Sequence, residues 1–184
     1  MPTTENPTLL LEGTYHDVLR GPDGQVTWDR GWRKNTIAVS GRRLLASFLK
    51  ADPSALGIDG ILIGAGQPSW DTTPPPQPTP TSVPADANRT KIPRVNPPAG
   101  ASFQMEYLDG ANVSPTPTNR LQIRVVLGPG VPAWPDGNHP TSSLREFGLV
   151  GRFNNADVLL NYVIHPVITK DPFSTLERTI WLVF

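Results

Sequence analysis

Cysteine is missing from the 184 residues, which excludes disulfides, thiolate metal ligands and thiol nucleophiles together and leaves the redox compartment open. An excess of either charge is missing too. Sixteen Lys and Arg balance 16 Asp and Glu, so no basic stripe points to nucleic acid, and no nucleic-acid partner is expected. Nor is there a long hydrophobic run: no window approaches the ~18 consecutive apolar residues of a membrane span. Residues 1–6, Met-Pro-Thr-Thr-Glu-Asn, have no basic stretch followed by an apolar core. The expectation is a soluble, unprocessed chain made in the cytoplasm, with no membrane partner. Histidine is scarce. His16, His139 and His165 are the only three, and none stands at the spacing of a ready-made ligand pair, so neither a metal site nor a cofactor is expected.

What the chain has in quantity is proline, 22 residues beside 16 glycines, a composition that argues against a helical protein. The length suits one domain over residues 1–184 with a real core. The expected class is mainly β: an antiparallel β-sandwich with one α-helix at about residues 37–50 and long Pro-rich extended loops.

Residues 144–184 are the densest in strand formers. Val158, Leu160, Tyr162 and Ile164 alternate with Leu159, Asn161, Val163 and His165, and Leu176, Ile180, Leu182 and Phe184 fall on one face of a later run; a period of two means strands. With turn chemistry at Asn154 to Asp157 and Lys170 to Ser174, this stretch predicts a three-stranded antiparallel meander. Its apolar end, Ile180-Trp181-Leu182-Val183-Phe184, is expected to be tied into a sheet or a neighbouring subunit.

At the other end, two strand-like runs flank Gly21-Pro22-Asp23-Gly24 and predict a hairpin with Val26, Trp28 and Trp32 on one face. Ile37, Leu44, Leu45, Phe48 and Leu49 then recur at helical steps. Asn35 or Thr36 is the predicted cap, Pro53 the stop, and Gly41 a point of close packing. Ile58 to Gly66 reads as a buried strand. Phe103, Met105 and Tyr107, then Leu121, Ile123, Val125 and Leu127, mark two half-buried strands.

Between them lies a Pro-rich extended segment, 72–100, and a second Pro-rich loop, 128–140, holds Trp134. Nine prolines fall between Pro74 and Pro98, a composition that prefers extended conformation and cannot form its own core. The segment is expected to lean on its own sheet or on a neighbouring chain. Its removal is expected to leave a folded monomer that no longer assembles.

The chemistry-bearing patterns are weak. Gly64-Ala65-Gly66 follows a strand but has neither the third glycine nor the helix of a dinucleotide fingerprint. No Gly-x-Ser-x-Gly elbow occurs, and most aspartates sit beside glycine or proline, where turn roles explain them. His165 before Pro166 is expected to hydrogen-bond at a strand end. Arg145, Glu146, Glu177 and Arg178 stand in strands that otherwise look buried, so they must be paired across strands or lie at a contact. The five tryptophans suit interface anchoring better than sugar stacking. The candidate interface residues are Trp70, Pro74, Pro75, Pro76, Trp134, Trp181 and Phe184, and no catalytic residue stands out.

At Leu144 to Gly151, Asn161 to Pro166 and Leu176 to Thr179, with a final phenylalanine, the chain resembles small structural proteins of tailed bacteriophage particles and phage-derived contractile injection systems. Gly31-Trp32 with Asn35, the run Gly41 to Ala46, and Gly64 to Gly66 before Trp70-Asp71 resemble their amino-terminal features; the proline-rich middle is not covered. The resemblance implies a non-enzymatic virion subunit of the tail, baseplate or neck, made in a bacterial cytoplasm, binding itself and other virion proteins. A capsid decoration or cement protein is one alternative, and a carbohydrate-binding β-sandwich in host recognition is another.

Overall fold

The computed structural model describes residues 11–72 and 75–184; residues 1–6 and Pro74, singled out above, lie outside them. The chain runs through β1 (Glu12–Arg20), β2 (Val26–Asp29), β3 (Arg33–Lys34), β4 (Thr36–Ile37), α1 (Val39–Leu49) and β5 (Ala55–Gly64). After one turn of 3-10 helix (Pro68–Asp71) come β6 (Thr90–Pro93), β7 (Ala101–Asp109), β8 (Asn112–Ser114) and β9 (Arg120–Leu127). The last elements are β10 (Ser143–Phe153), β11 (Ala156–Leu159), β12 (Asn161–Thr169) and β13 (Thr175–Val183). Two antiparallel sheets result. The first is ordered β2-β1-β13-β9-β7-β8 with β3 also against β1; the second is ordered β4-β12-β10-β5-β6 with β11 also against β10. The fold is mainly β and sandwich-like, with one helix.

Period two shows directly in β13, whose Leu176, Arg178, Ile180 and Leu182 are buried while the residues between them are half-exposed. They meet Ile61, Ile63, Phe147, Leu149 and Val163 of the second sheet in one core. β10 breaks the alternation and is buried from Ser143 to Gly151, because its sheet is covered on both faces. One cover is the first sheet. The other is α1 together with the proline-rich segment, whose Pro80, Pro84 and Ala85 share a groove with Val39 of the helix and with Leu62 and Val150 of the sheet.

The predicted meander is corrected here. β10, β11 and β12 do share a sheet, but β13 crosses to the other one and inserts between β1 and β9, with Tyr15 opposite Ile180 and Ile123 opposite Ile180 on the far side. Periodicity marks a buried face but not a partner, and both sheets offer an apolar inner surface to β13. The apolar run around Leu160 is also two strands rather than one: the Leu160 amide donates to the Leu149 carbonyl and its own carbonyl accepts from Ala38. A tight Asn154-Asn155 turn, both residues at positive φ, joins β10 to β11 in the manner of a type I′ hairpin.

The helix is shorter than predicted, because Ile37 pairs with Asn161 in a sheet. Neither Asn35 nor Thr36 caps it; Ala38 holds the N-cap position with no side-chain bond. A helix start has four amides without internal partners. That of Val39 donates to the Pro80 carbonyl at 2.8 Å, so the proline-rich segment does part of the capping. The other end closes through Ala51 at φ 59, with the Ala51 and Asp52 amides donating back to Phe48 and Ser47 as in a Schellman motif. Gly41 is a point of close packing: a Cβ there would lie 2.6 Å from the Leu160 carbonyl oxygen.

Candidate functional site

The charges that stand in buried strands are paired within the chain. Arg178 forks onto Asp17, Nε donating to Oδ1 at 2.6 Å and Nη2 to Oδ2 at 2.8 Å, with both residues almost fully buried. Its guanidinium also lies 3.6 Å above the Phe147 ring. Arg145 forks onto Asp71 at 2.8 and 2.6 Å, and hydrogen bonding to that guanidinium holds the Asp71 carboxyl below the usual carboxylate range. Glu177 accepts from Arg20 and Arg124 on the two neighbouring strands. Glu146 works differently. One oxygen accepts from the Asp86 amide at 2.7 Å, and the other from the Ala85 amide at 2.9 Å and from the Tyr162 hydroxyl. Burial, then the bond to Glu146, push the Tyr162 hydroxyl well above its ordinary pKa.

Glu146 thereby clamps the proline-rich segment, and the clamp continues. Asp86 Oδ2 accepts from the Ala65 amide at 2.9 Å and meets His139 Nε2 at 3.0 Å. His139 Nδ1 meets Asp136 Oδ1 at 2.9 Å, and that contact holds the Asp136 carboxyl below its usual range. The imidazole is stacked on Trp134, ring centroids 3.7 Å apart, and the Trp134 indole donates to Thr90 Oγ1 at 3.1 Å. The two proline-rich regions are therefore tied to each other through one buried histidine. No pattern in the sequence signals this link, because Asp86, Trp134 and His139 are brought together only by the fold.

The predicted interface residues do not converge on one surface. Trp134 is 5% exposed and is corrected from a contact residue to a core one, since its ring fills the space between the second proline-rich loop and β6. Trp70 is half-buried, its ring lying where a Cβ on Gly66 would be, so the Gly64-Ala65-Gly66 turn is a tight strand exit shaped by tryptophan packing. Pro75 is half-buried and Pro76 exposed. Trp181 is half-buried and packs on the exposed Trp32 with centroids 4.3 Å apart. Phe184 lies beyond β13, 40% exposed, rather than on its buried face. Phe184, Leu11, Leu45 and Phe48 border an apolar cavity of about 200 Å³ at the α1 end of the sandwich.

His165 stands in the middle of β12, not at its end, with Nδ1 2.8 Å from the Pro166 carbonyl and Nε2 3.2 Å from Arg178 Nη2. Most aspartates do take turn roles: Asp23, Asp29, Asp52, Asp136 and Asp171 each accept from a backbone amide two residues on. Asp86 does the same with the Asn88 amide, whereas Asp17 and Asp71 are spent on arginines and Asp59 and Asp157 on Lys91.

The geometry is that of a sandwich-like β fold with charged pairs in its interior, a docked proline-rich cover and an apolar end. No family model, curated protein or solved structure matches the chain.

Proposed function

We propose that this chain is a non-enzymatic structural subunit of a phage-type particle, placed at the tail, baseplate or neck, which binds copies of itself and neighbouring virion proteins. The observation that carries the reading is the apolar end. Leu49 is 84% exposed and Leu56 50%, and Phe48 and Phe184 open onto the cavity beside them. Exposed apolar surface of this kind marks a contact between proteins. The edge strands β2 and β8 add unpaired backbone groups, and each carries an exposed valine, Val26 or Val113, which suits strand addition. The Arg178–Asp17 and Arg145–Asp71 pairs tie charged groups of the interior to one another, which supports a scaffold role. The proline-rich segment acts in this reading as a fixed wall rather than as a free arm.

The test is immunogold electron microscopy of purified particles with antibody to this chain. Gold at tails or necks supports the proposal, and gold over heads means capsid cement. Unlabelled particles that are also blank on a denaturing blot defeat the structural reading.

One feature favours carbohydrate binding as a second reading. Trp32 and Trp181 form an aromatic pair on the first sheet, with His16 5.3 Å from Trp32 and Gln122 accepting from the Trp181 indole at 3.0 Å. Aromatic faces flanked by amides suit sugar rings. Glycan-dependent quenching of tryptophan fluorescence, abolished in Trp32→Ala, is the expected result; a flat titration over a broad glycan panel removes this reading.

A further inference from the structure

A second cavity, of about 180 Å³, opens between β1, β3 and the proline-rich segment, walled by Tyr15, Arg30, Arg33, Lys34, Gln77 and Tyr162 among others. Three of its lining residues are cations and none is an acid. Among the described residues, none of the three cations forms a salt bridge. The nearest carboxylates in sequence are occupied elsewhere: Asp17 by Arg178, and Asp29 by His16 and the Gly31 amide at 2.7 Å each. In a chain of zero net charge, this pocket is a local concentration of positive potential.

The donors are aimed as well as charged. Arg33 lies directly opposite Tyr15 in the β1–β3 ladder, so the two side chains share a face. Arg30 Nη1 donates to the Tyr15 hydroxyl at 3.3 Å, which orients that guanidinium and leaves its other N–H groups available. The neighbouring amide adds no donor to them. Asn35 lines the same cavity, and both polar atoms of its amide are shut off from solvent without a hydrogen-bond partner. Buried amides are nearly always bonded. This one is seated on Gly13, where even a Cβ would lie 2.1 Å from Asn35 Oδ1, so the backbone is built to hold it there.

We propose that this pocket binds a small, multiply charged oxyanion of the phosphate type, either free or as the terminal group of a small molecule. Size excludes more: sites for drug-sized ligands run to roughly 300–1,000 Å³, which leaves room here for the charged group alone. Two guanidinium forks match the planar pairs of oxygens that a tetrahedral oxyanion presents, and their two positive charges favour a dianion over chloride; Lys34, opposite Thr14, turns its side chain to the other face of the sheet. Anion capture here is independent of assembly into a particle.

The test is calorimetric titration of the full chain with inorganic phosphate at low ionic strength, repeated with glycerol phosphate to separate the free ion from a terminal group. Saturable one-site binding is expected. Arg33→Gln should weaken it by about tenfold or more through loss of a charge-assisted contact, and Arg30→Gln should act in the same direction; Arg33 is exposed, so the fold should persist in that variant. Arg42→Gln, on the solvent side of α1, removes the same charge elsewhere and should leave affinity unchanged. Absence of saturable binding to either probe overturns the proposal, and so does an equal loss in Arg33→Gln and Arg42→Gln.

Discussion

At the scale of single residues, His165 is held uncharged by its neighbours. Arg178 Nη2 can only donate, so Nε2 of the imidazole accepts, and Nδ1 carries the proton that goes to the Pro166 carbonyl. Burial, then the Arg178 charge, push the imidazole down to about 4. Between pH 6.5 and about 4 the unfolded chain takes up a proton that the folded chain refuses. Stability therefore falls as pH drops through that window and levels off, for this group, below it. The gap corresponds to about 3 kcal/mol at ~1.4 kcal/mol per pH unit. Urea unfolding at pH 7, 5.5 and 4 should show wild type losing about that much more than His165→Gln. Parallel curves for the two proteins would rule the mechanism out. The sequence made legible that Arg178 and Glu177 needed partners, since charge in an apolar strand demands one. It did not name Asp17, which lies far away along the chain in the first strand-like run, where nothing in the pattern links it to Arg178.

At the scale of elements, the proline-rich segment belongs to the fold. Its β6 pairs with β5, the Pro80 carbonyl caps α1, and Glu146 receives two of its amides. Deleting it removes a strand from the second sheet and exposes Val150 and Leu62, so a folded, assembly-defective monomer is no longer the expected outcome. A finer probe is Glu146→Gln. The new amide presents N–H groups where an acceptor stood, and leaving one buried donor unmet costs about 1–3 kcal/mol. Hydrogen exchange should show protection lost first at Ala85, Asp86 and Val39, with β13 amides changed only by the global loss. Unaltered protection at Ala85 and Asp86 would refute the clamp. Composition announced an extended segment that leans on something. What it leans on depended on a carboxylate in β10, and proline content carries no information about that.

At the scale of the whole molecule, the strands themselves were legible, because alternation in β1, β7, β9 and β13 reports a sheet with one buried face. Sheet membership was not legible, since the inner surfaces of both sheets are chemically alike and the turn at Asp171 directs the chain across the sandwich. The cavity of Arg30, Arg33 and Lys34 was invisible for a related reason: three cations around a Gly-Trp pair read as a solvated loop until Gln77 and Tyr162 close over them. The placement of β13 also sets an order of events in synthesis. β13 follows every other described strand along the chain, yet it is the piece that joins the β1–β2 hairpin to the β7–β9 group. On the ribosome, where residues emerge at ~5–20 per second, two half-sheets with open edges must wait for residues 175–183 before the first sheet can become continuous. Closure of that sheet therefore depends on contacts distant in sequence and comes only after β13 has been made.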